Sequence, residues 1–481
     1  MCGDEVKVEW QFIIFTPMRL IASIFCGMIL LLASCSKDSF INSPDARLIV
    51  TTDTLKYDTV FVSAGSTYRQ FRLINDNDQK LRISSIKLMG GASSVFKMNV
   101  DGVSGTAFNN LELAAHDSVY VFMQVNVNPS AINQPFVLRD SVSISYNGKT
   151  KWVQLEAWGQ NAHFLRDYIV NANETWNNDK PYLILGSLFV NAGKTLTITK
   201  GCRIYMHADA PVIVDGTLQV NGLKDTIDRV TFSGDRLDEP YKDYPASWPG
   251  IYFLSNSKDN QINFGMIRNA YQAIGVIDPS VNANPKLILN ETIIDNGYDA
   301  GIISSNSSIR GRNCLISNCG KNLALTKGGN YLFTHCTVVS YSNRYISHKE
   351  PVLQLSNFGY SNNTLVSADL NAVFKNCIFY GEGGLVAEEV VIIKNGNTAF
   401  NVSFDYGLWR MGSIPVNVTS NQMINQSPLF EKVDAFNNSW NFHLTSSSPA
   451  VNKGTNAGVI TDLDGKPRPV GLPDLGCFEK Q

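Results

Sequence analysis

The sequence predicts an all-β protein: a β-sandwich followed by a right-handed parallel β-helix with a C-terminal cap. Three observations carry this. Short runs of strict apolar/polar alternation, the period of half-buried antiparallel strands, fill residues 45–162. Beyond them, Cys314-Leu315-Ile316 returns twenty-two residues later as Cys336-Thr337-Val338, and again as Cys377-Ile378-Phe379. Asn, Ser, Thr, Gly, Val and Ile are abundant, charged residues make up 17%, and heptads and long amphipathic stretches are absent. A chain of 481 residues is too long for one ordinary core, so two domains are expected. The formal charge of −2 provides no basic field for nucleic acid.

The N-terminus precedes both domains. Leu20–Leu32 is an apolar stretch too short to span a bilayer, with Arg19 before it and Leu32-Ala33-Ser34-Cys35 closing it. This closing tetrapeptide resembles a bacterial lipobox, which implies that Cys35 is lipidated and becomes the first mature residue. Asp4, Glu5 and Glu9 suit a signal n-region badly, so Met18 is read as the true start of a leader spanning 1–35. An uncleaved apolar anchor is the alternative. Residues 36–44 form a tether, and Ser36-Lys37-Asp38 resembles the charged tag of outward-facing lipoproteins. The expected location is the outer membrane, on the cell surface or the periplasmic face.

In the first domain, Tyr68–Ile74, Leu81–Leu88, Ser118–Val127, Ser141–Tyr146 and Trp152–Trp158 alternate between polar breaks. Asn75-Asp76-Asn77-Asp78 is one such break, and Asn147-Gly148 signals a hairpin. Phe71-Arg72-Leu73-Ile74-Asn75 and the late Leu155-Glu156-Ala157-Trp158-Gly159 resemble immunoglobulin-like domains placed ahead of anchor or catalytic modules. That resemblance implies a spacer or interaction role. No catalytic constellation stands out in this domain.

The second domain, residues 165–450, carries the repeat. Steps back from Cys314 reach Thr292-Ile293-Ile294 and Gly265-Met266-Ile267. One short strand per period of about twenty-two residues suits one coil of a parallel β-helix, with equivalent residues stacked in columns about 4.8 Å apart. The longer gap from Cys336 to Cys377 fits two short coils, or one coil with an insertion at Gly359–Asn363. Columns place Cys314, Cys336 and Cys377 in the core as small hydrophobes, with a Cys314–Cys319 disulfide left open as an exception. Asn269, Asn296 and Asn318 share a column at strand ends, where side-chain amides form a ladder. Leu183–Met206 and Trp248-Pro249-Gly250-Ile251 resemble pectate-lyase-like β-helix proteins. Between them the loop Leu237–Ser247 carries Asp238, Glu239, Tyr241, Asp243 and Tyr244. Tyr241, Tyr244 and Trp248 are the candidate carbohydrate-stacking residues, and a lid over the helix flank is the plainer alternative.

The tail contains Ser448-Pro449-Ala450-Val451-Asn452-Lys453-Gly454, Asp462-Leu463-Asp464-Gly465-Lys466-Pro467-Arg468 and Pro473-Asp474-Leu475-Gly476. This order resembles the C-terminal region of right-handed parallel β-helix repeat proteins, although Asn452-Lys453 departs from their Asp-Ala. Residues 451–481 are read as a cap shielding the last coil from edge pairing. Asp462 and Asp464 are candidates for calcium, against a turn-forming role. No other cofactor is implied.

No G-x-S-x-G, P-loop or H-E-x-x-H motif is present. The resemblance implies that catalysis, if present, would use acids in one groove; Asp278, Asp295 and Asp299 with Arg268 are the candidates. Arg268 and Asp295 one coil apart also read as a plain surface ion pair. The leading expectation is a non-catalytic envelope lipoprotein, held to the membrane through Cys35, whose β-helix binds glycan or another surface protein. A polysaccharide lyase or glycoside hydrolase is the alternative, and an adhesion or assembly scaffold the third.

Overall fold

The structure, a computed structural model, describes residues 39–61, 68–126, 136–237 and 240–481. The leader with Met18 and Cys35, together with Asp238 and Glu239, lies outside the described residues. The chain divides into two compact units, the first lying within the residues up to Ala157 and the second containing Trp158–Gln481. No described helix is long and apolar enough to cross a membrane.

The first unit consists of two five-stranded sheets. Their registers are antiparallel, with Phe71 opposite Val121 and Ile86 opposite Ile144. Alternate residues such as Leu81, Ile83, Val121, Met123 and Ile144 are fully buried, as period-two patterning requires. Asn147 and Gly148 have φ of 41° and 77°, the two left-handed positions of a type I′ hairpin turn. Asn75 is buried, and its amide donates to the carbonyls of Gln79 and Ala114, which holds the polar break in place.

In the second unit, a 23-stranded parallel sheet winds as a β-helix with three columns of strands. One column contains Val230–Gly234, Gly265–Arg268, Ile293–Asp295, Leu315–Ser317 and Thr337–Tyr341. Its register runs Met266↔Ile293↔Leu315↔Thr337↔Ile378↔Leu408. Thr337 pairs directly with Ile378, so the long gap is one coil with insertions, among them the hairpin Phe358–Ser361/Thr364–Ser367. Ile267, Ile294, Ile316, Val338 and Phe379 point inward and stack in one continuous core. Cys314, Cys336 and Cys377 are buried free thiols, and burial pushes the first two well above the usual thiol range. Cys314 and Cys319 do not pair.

Trp248 belongs to this core. It is fully buried, and its indole N–H donates to the Arg268 carbonyl at 2.8 Å, which corrects its assignment as a ligand-stacking residue. Gly250 follows because a Cβ there would sit 1.7 Å from the Gln272 carbonyl. Lys286 is also sealed inside, with its ammonium donating to the carbonyls of Leu254, Ser255 and Ile277.

The tail requires a second correction. The last strand of the parallel sheet, Thr419–Ile424, has Phe400–Trp409 as its one ladder partner among the described residues. The tail instead lies along the flank, where Phe442, Leu444, Leu463, Leu475 and Phe478 cover the outward side chains of Leu315, Val339, Ile378 and Leu408. Burying each of those outward side chains contributes about 2 kcal/mol. This explains why a column facing away from the helix interior is apolar. Arg229 anchors the tail by donating to the carbonyls of Glu291 and Leu463 at 2.9 and 2.7 Å. Asn313 donates to the Thr461 carbonyl at 2.7 Å.

Candidate functional site

On the same flank, the part the tail leaves open forms a cleft of about 420 Å³. Its floor includes the outward side chains of Arg268 and Asp295, in register on successive coils, with buried Ser317 next in the same column. Three excursions build its walls: Lys242 and Asp243 from the loop ahead of Trp248, Asn343 from the insertion after Tyr341, and Asn438 to Trp440 from the hairpin Phe430–Asp434/Ser439–Leu444.

Asp295 lies on the floor between these walls. Burial pushes its carboxyl above the usual carboxylate range, against the opposing pull of Arg268 and of Ser317, whose hydroxyl donates at 2.7 Å. The asparagine ladder lies at the top of the floor. Asn269, Asn296 and Asn318 take left-handed φ of 62°, 59° and 51°, and the Asn296 amide donates to Asn269 Oδ1 at 2.8 Å. Asn269 and Asn296 also donate to the carbonyls of Lys242 and Asp243, which ties the loop to the coils. The ladder ends at Asn318, whose Oδ1 accepts the Tyr341 N–H. Three buried amide atoms here complete no hydrogen bond: Asn296 Oδ1, Asn318 Nδ2 and Asn343 Nδ2. The Asn318 amide is near enough to favour the Asp295 anion, yet it does not reach hydrogen-bonding geometry. Such atoms cost stability unless a ligand or water satisfies them.

Trp440 closes one wall. Its ring stacks with Tyr341 and Phe442 at centroid distances of 5.8 and 6.1 Å. Tyr241 and Tyr244 flank Lys242 and Asp243 and are exposed. With Tyr345 they form a tilted cluster, with centroids 5.2 and 5.3 Å apart.

The other sequence candidates lie elsewhere. Asp278 is on an exposed turn at the end of Gln272–Ile277, in a different column of strands, and accepts from the Ser255 hydroxyl. Asp299 is engaged by Lys321 at 2.9 Å and by the Gln272 amide at 2.7 Å. The three acids therefore do not converge, and Asp295 alone of them lines the cleft. Arg268 and Asp295 are in register but form no salt bridge within 4.0 Å among the described residues. Asp462 spends Oδ1 on the N–H groups of Asp464 and Lys466, and Oδ2 on that of Glu479. Asp464 pairs with His443 and Lys466. No cluster of metal-ligating side chains occurs among the described residues, and the hydrogen bonds of Asp462 are those of a turn.

Sequence reasoning missed Trp440 and Asn343. The available signal was a tryptophan one residue beyond a polar Asn437-Asn438 turn, and nothing local tied Trp440 to Asp295, 145 residues earlier.

No known family model and no curated protein matches this chain. Among solved structures, a family 123 glycoside hydrolase from Clostridium perfringens is similar over 24% of this chain and 26% of its own, with 9% identity and a TM-score of 0.17. An alkylpurine DNA glycosylase from Pseudomonas fluorescens, bound to DNA containing an abasic-site analogue, is similar over 23% and 29%, with 13% identity and a TM-score of 0.13. This chain thus spans less than a third of either protein, and likenesses this distant carry no chemistry across.

Proposed function

We propose that this chain is an envelope lipoprotein, anchored through Cys35 to the outer membrane, whose β-helix flank binds glycan in the cleft over Asp295. The observation that carries the reading is a cleft that sets the Trp440 ring against the polar side chains of Arg268, Asp295, Asn296 and Asn318. Sugar hydroxyls donate and accept at once, so they satisfy a mixed set of amide donors and acceptors. Their C–H faces pack on aromatic rings. Arg268 and Asp295 add charge-assisted hydrogen bonds at the floor. Tyr241, Tyr244 and Tyr345 extend the aromatic surface beyond it.

The test is retention of the protein on a panel of neutral and acidic polysaccharides. Trp440→Ala and Arg268→Ala should each weaken retention by about tenfold or more, the scale of a lost stacking or charge-assisted contact. Unchanged retention in both would remove the cleft from the proposal. Cys35→Ser should move the protein from the membrane fraction to the soluble one.

Hydrolysis is the second reading, because Asp243 shares the cleft with Asp295. A carboxyl raised by burial beside an exposed carboxylate is the pairing that acid–base cleavage of a glycosidic bond uses. New reducing ends that vanish in both Asp295→Asn and Asp243→Asn would establish it. Retention without product would leave binding alone.

A further inference from the structure

One sheet of the first unit carries aromatic rings on the face its strands turn outward. In Ser118–Val125 the residues Val119, Val121, Met123 and Val125 are buried, so Tyr120, Phe122 and Gln124 point the other way. A sheet face turned to water is expected to be polar. Here Tyr120 and Phe122 stack along it, with centroids 5.8 Å and planes 21° apart. The register sets polar groups beside them. Gln70 and Asn99 lie opposite Phe122 on its two sides, and Lys97 lies opposite Gln124. Tyr68 is 65% exposed, and with Lys97, Asn99, Ser104, Phe122 and Gln124 it lines a cleft of about 640 Å³. Asn99 gives one amide hydrogen to the Ser104 hydroxyl at 3.2 Å, which leaves its Oδ1 as an acceptor.

Charge narrows what this face can hold. Among the residues lining the cleft there is one cation, Lys97, and no carboxylate. Lys97 is exposed and forms no salt bridge among the described residues. The next outward cation, Arg72, lies over the Tyr120 ring, 5.6 Å from its centroid. Asp101 follows the far end of the strand Phe96–Val100, about 13 Å from Lys97 along it. A purely apolar partner would strip water from Lys97 and Asn99 and give nothing back. A neutral glycan would use the rings and the amide and leave the ammonium unpaired. We infer that this face is a second binding site, for an acidic polysaccharide: sugar C–H faces pack on Tyr68 and Phe122, a sugar hydroxyl donates to Asn99, and a carboxylate or sulfate group of the chain pairs with Lys97. The first unit is then a binding module rather than a spacer. This site stands apart from the cleft over Asp295 and does not rest on that reading.

The acetylation rate of the Lys97 amine in the full chain, followed by peptide mass spectrometry, reads this face alone. Polygalacturonate, dextran sulfate or both should slow it, and unmodified dextran should not. Slowing by the first alone assigns a carboxylate to the site, and slowing by the second alone assigns a sulfate. Tyr68→Ala keeps the charge and removes an exposed ring, so the polysaccharide concentration that gives half-protection should rise about fivefold, the scale of one lost stacking contact. Trp440→Ala, which alters the other cleft, should leave that concentration unchanged. Equal protection in native and Tyr68→Ala chains would reduce the effect to attraction between a lysine and a polyanion, and would overturn the site. So would no protection by either polyanion, equal protection by unmodified dextran, or protection that grows with protein concentration alone, the mark of a second copy on this face.

Discussion

Burial acts on Asp295 and Lys286 in the same sense, against the charged form, but the two are compensated differently. Lys286 is lowered by burial, yet its three donors all meet carbonyls, so its position is structural. Asp295 has one firm donor, Ser317, and faces a cleft. Because its folded pKa is raised, the folded state holds that proton more tightly than the unfolded chain does. Stability therefore falls as pH rises from the ordinary carboxylate range through the raised value. Asp295→Asn keeps an oxygen for the Ser317 hydroxyl and removes the buried anion. The expected outcome is an equal or higher Tm at neutral pH, a shallower loss of stability as pH rises above the ordinary carboxylate range, and weaker glycan retention. A lower Tm with an unchanged pH slope would show that the carboxylate is a net structural asset.

Among the elements, the tail matters most because it is what turns an apolar flank into a core. Its attachment depends on a few polar anchors, of which Arg229 reaches from a coil to the Leu463 carbonyl, 234 residues away. Arg229→Ala leaves the carbonyls of Glu291 and Leu463 without that donor in a buried setting, at a cost of about 2–4 kcal/mol. Limited proteolysis should then cut within residues 445–481 before the coils are touched. Simultaneous loss of coil and tail would mean that the two unfold as one unit. Asn452, the departure from the repeat-family pattern, still closes a turn: its φ is 56°, its N–H donates to Asp474 and its Oδ1 accepts from Leu472.

For the whole molecule, stacking rather than cross-linking provides the cohesion. Cys202, Cys314, Cys319, Cys336, Cys377 and Cys477 are all buried and free. A thiol reagent should label none of the six in the native protein and all of them after denaturation, and a reductant should leave the Tm unchanged. A reductant-dependent Tm would reveal a disulfide and contradict the column packing. The β-helix places each residue beside its equivalents one coil away, so chemistry accumulates along columns. Arg268, Asp295 and Ser317 form one such column.

Periodicity alone determined the all-β class, the coil repeat, the inward thiols and the left-handed asparagine column, because these follow from local backbone preference and a fixed register between neighbouring coils. The hairpin at Asn147-Gly148 was legible for the same reason: its φ values are a property of those two residues. Trp248 was legible as part of a motif but not as a core residue, since its burial depends on the Arg268 carbonyl one coil on. Of the three acids, Asp295 reached the cleft while Asp278 and Asp299 did not, because strand columns and corners divide residues that lie close in the chain. The cleft itself belongs to tertiary structure. Its walls come from segments near residues 242, 343 and 440, and only the folding of the tail along the flank brings Trp440 to face Asp295.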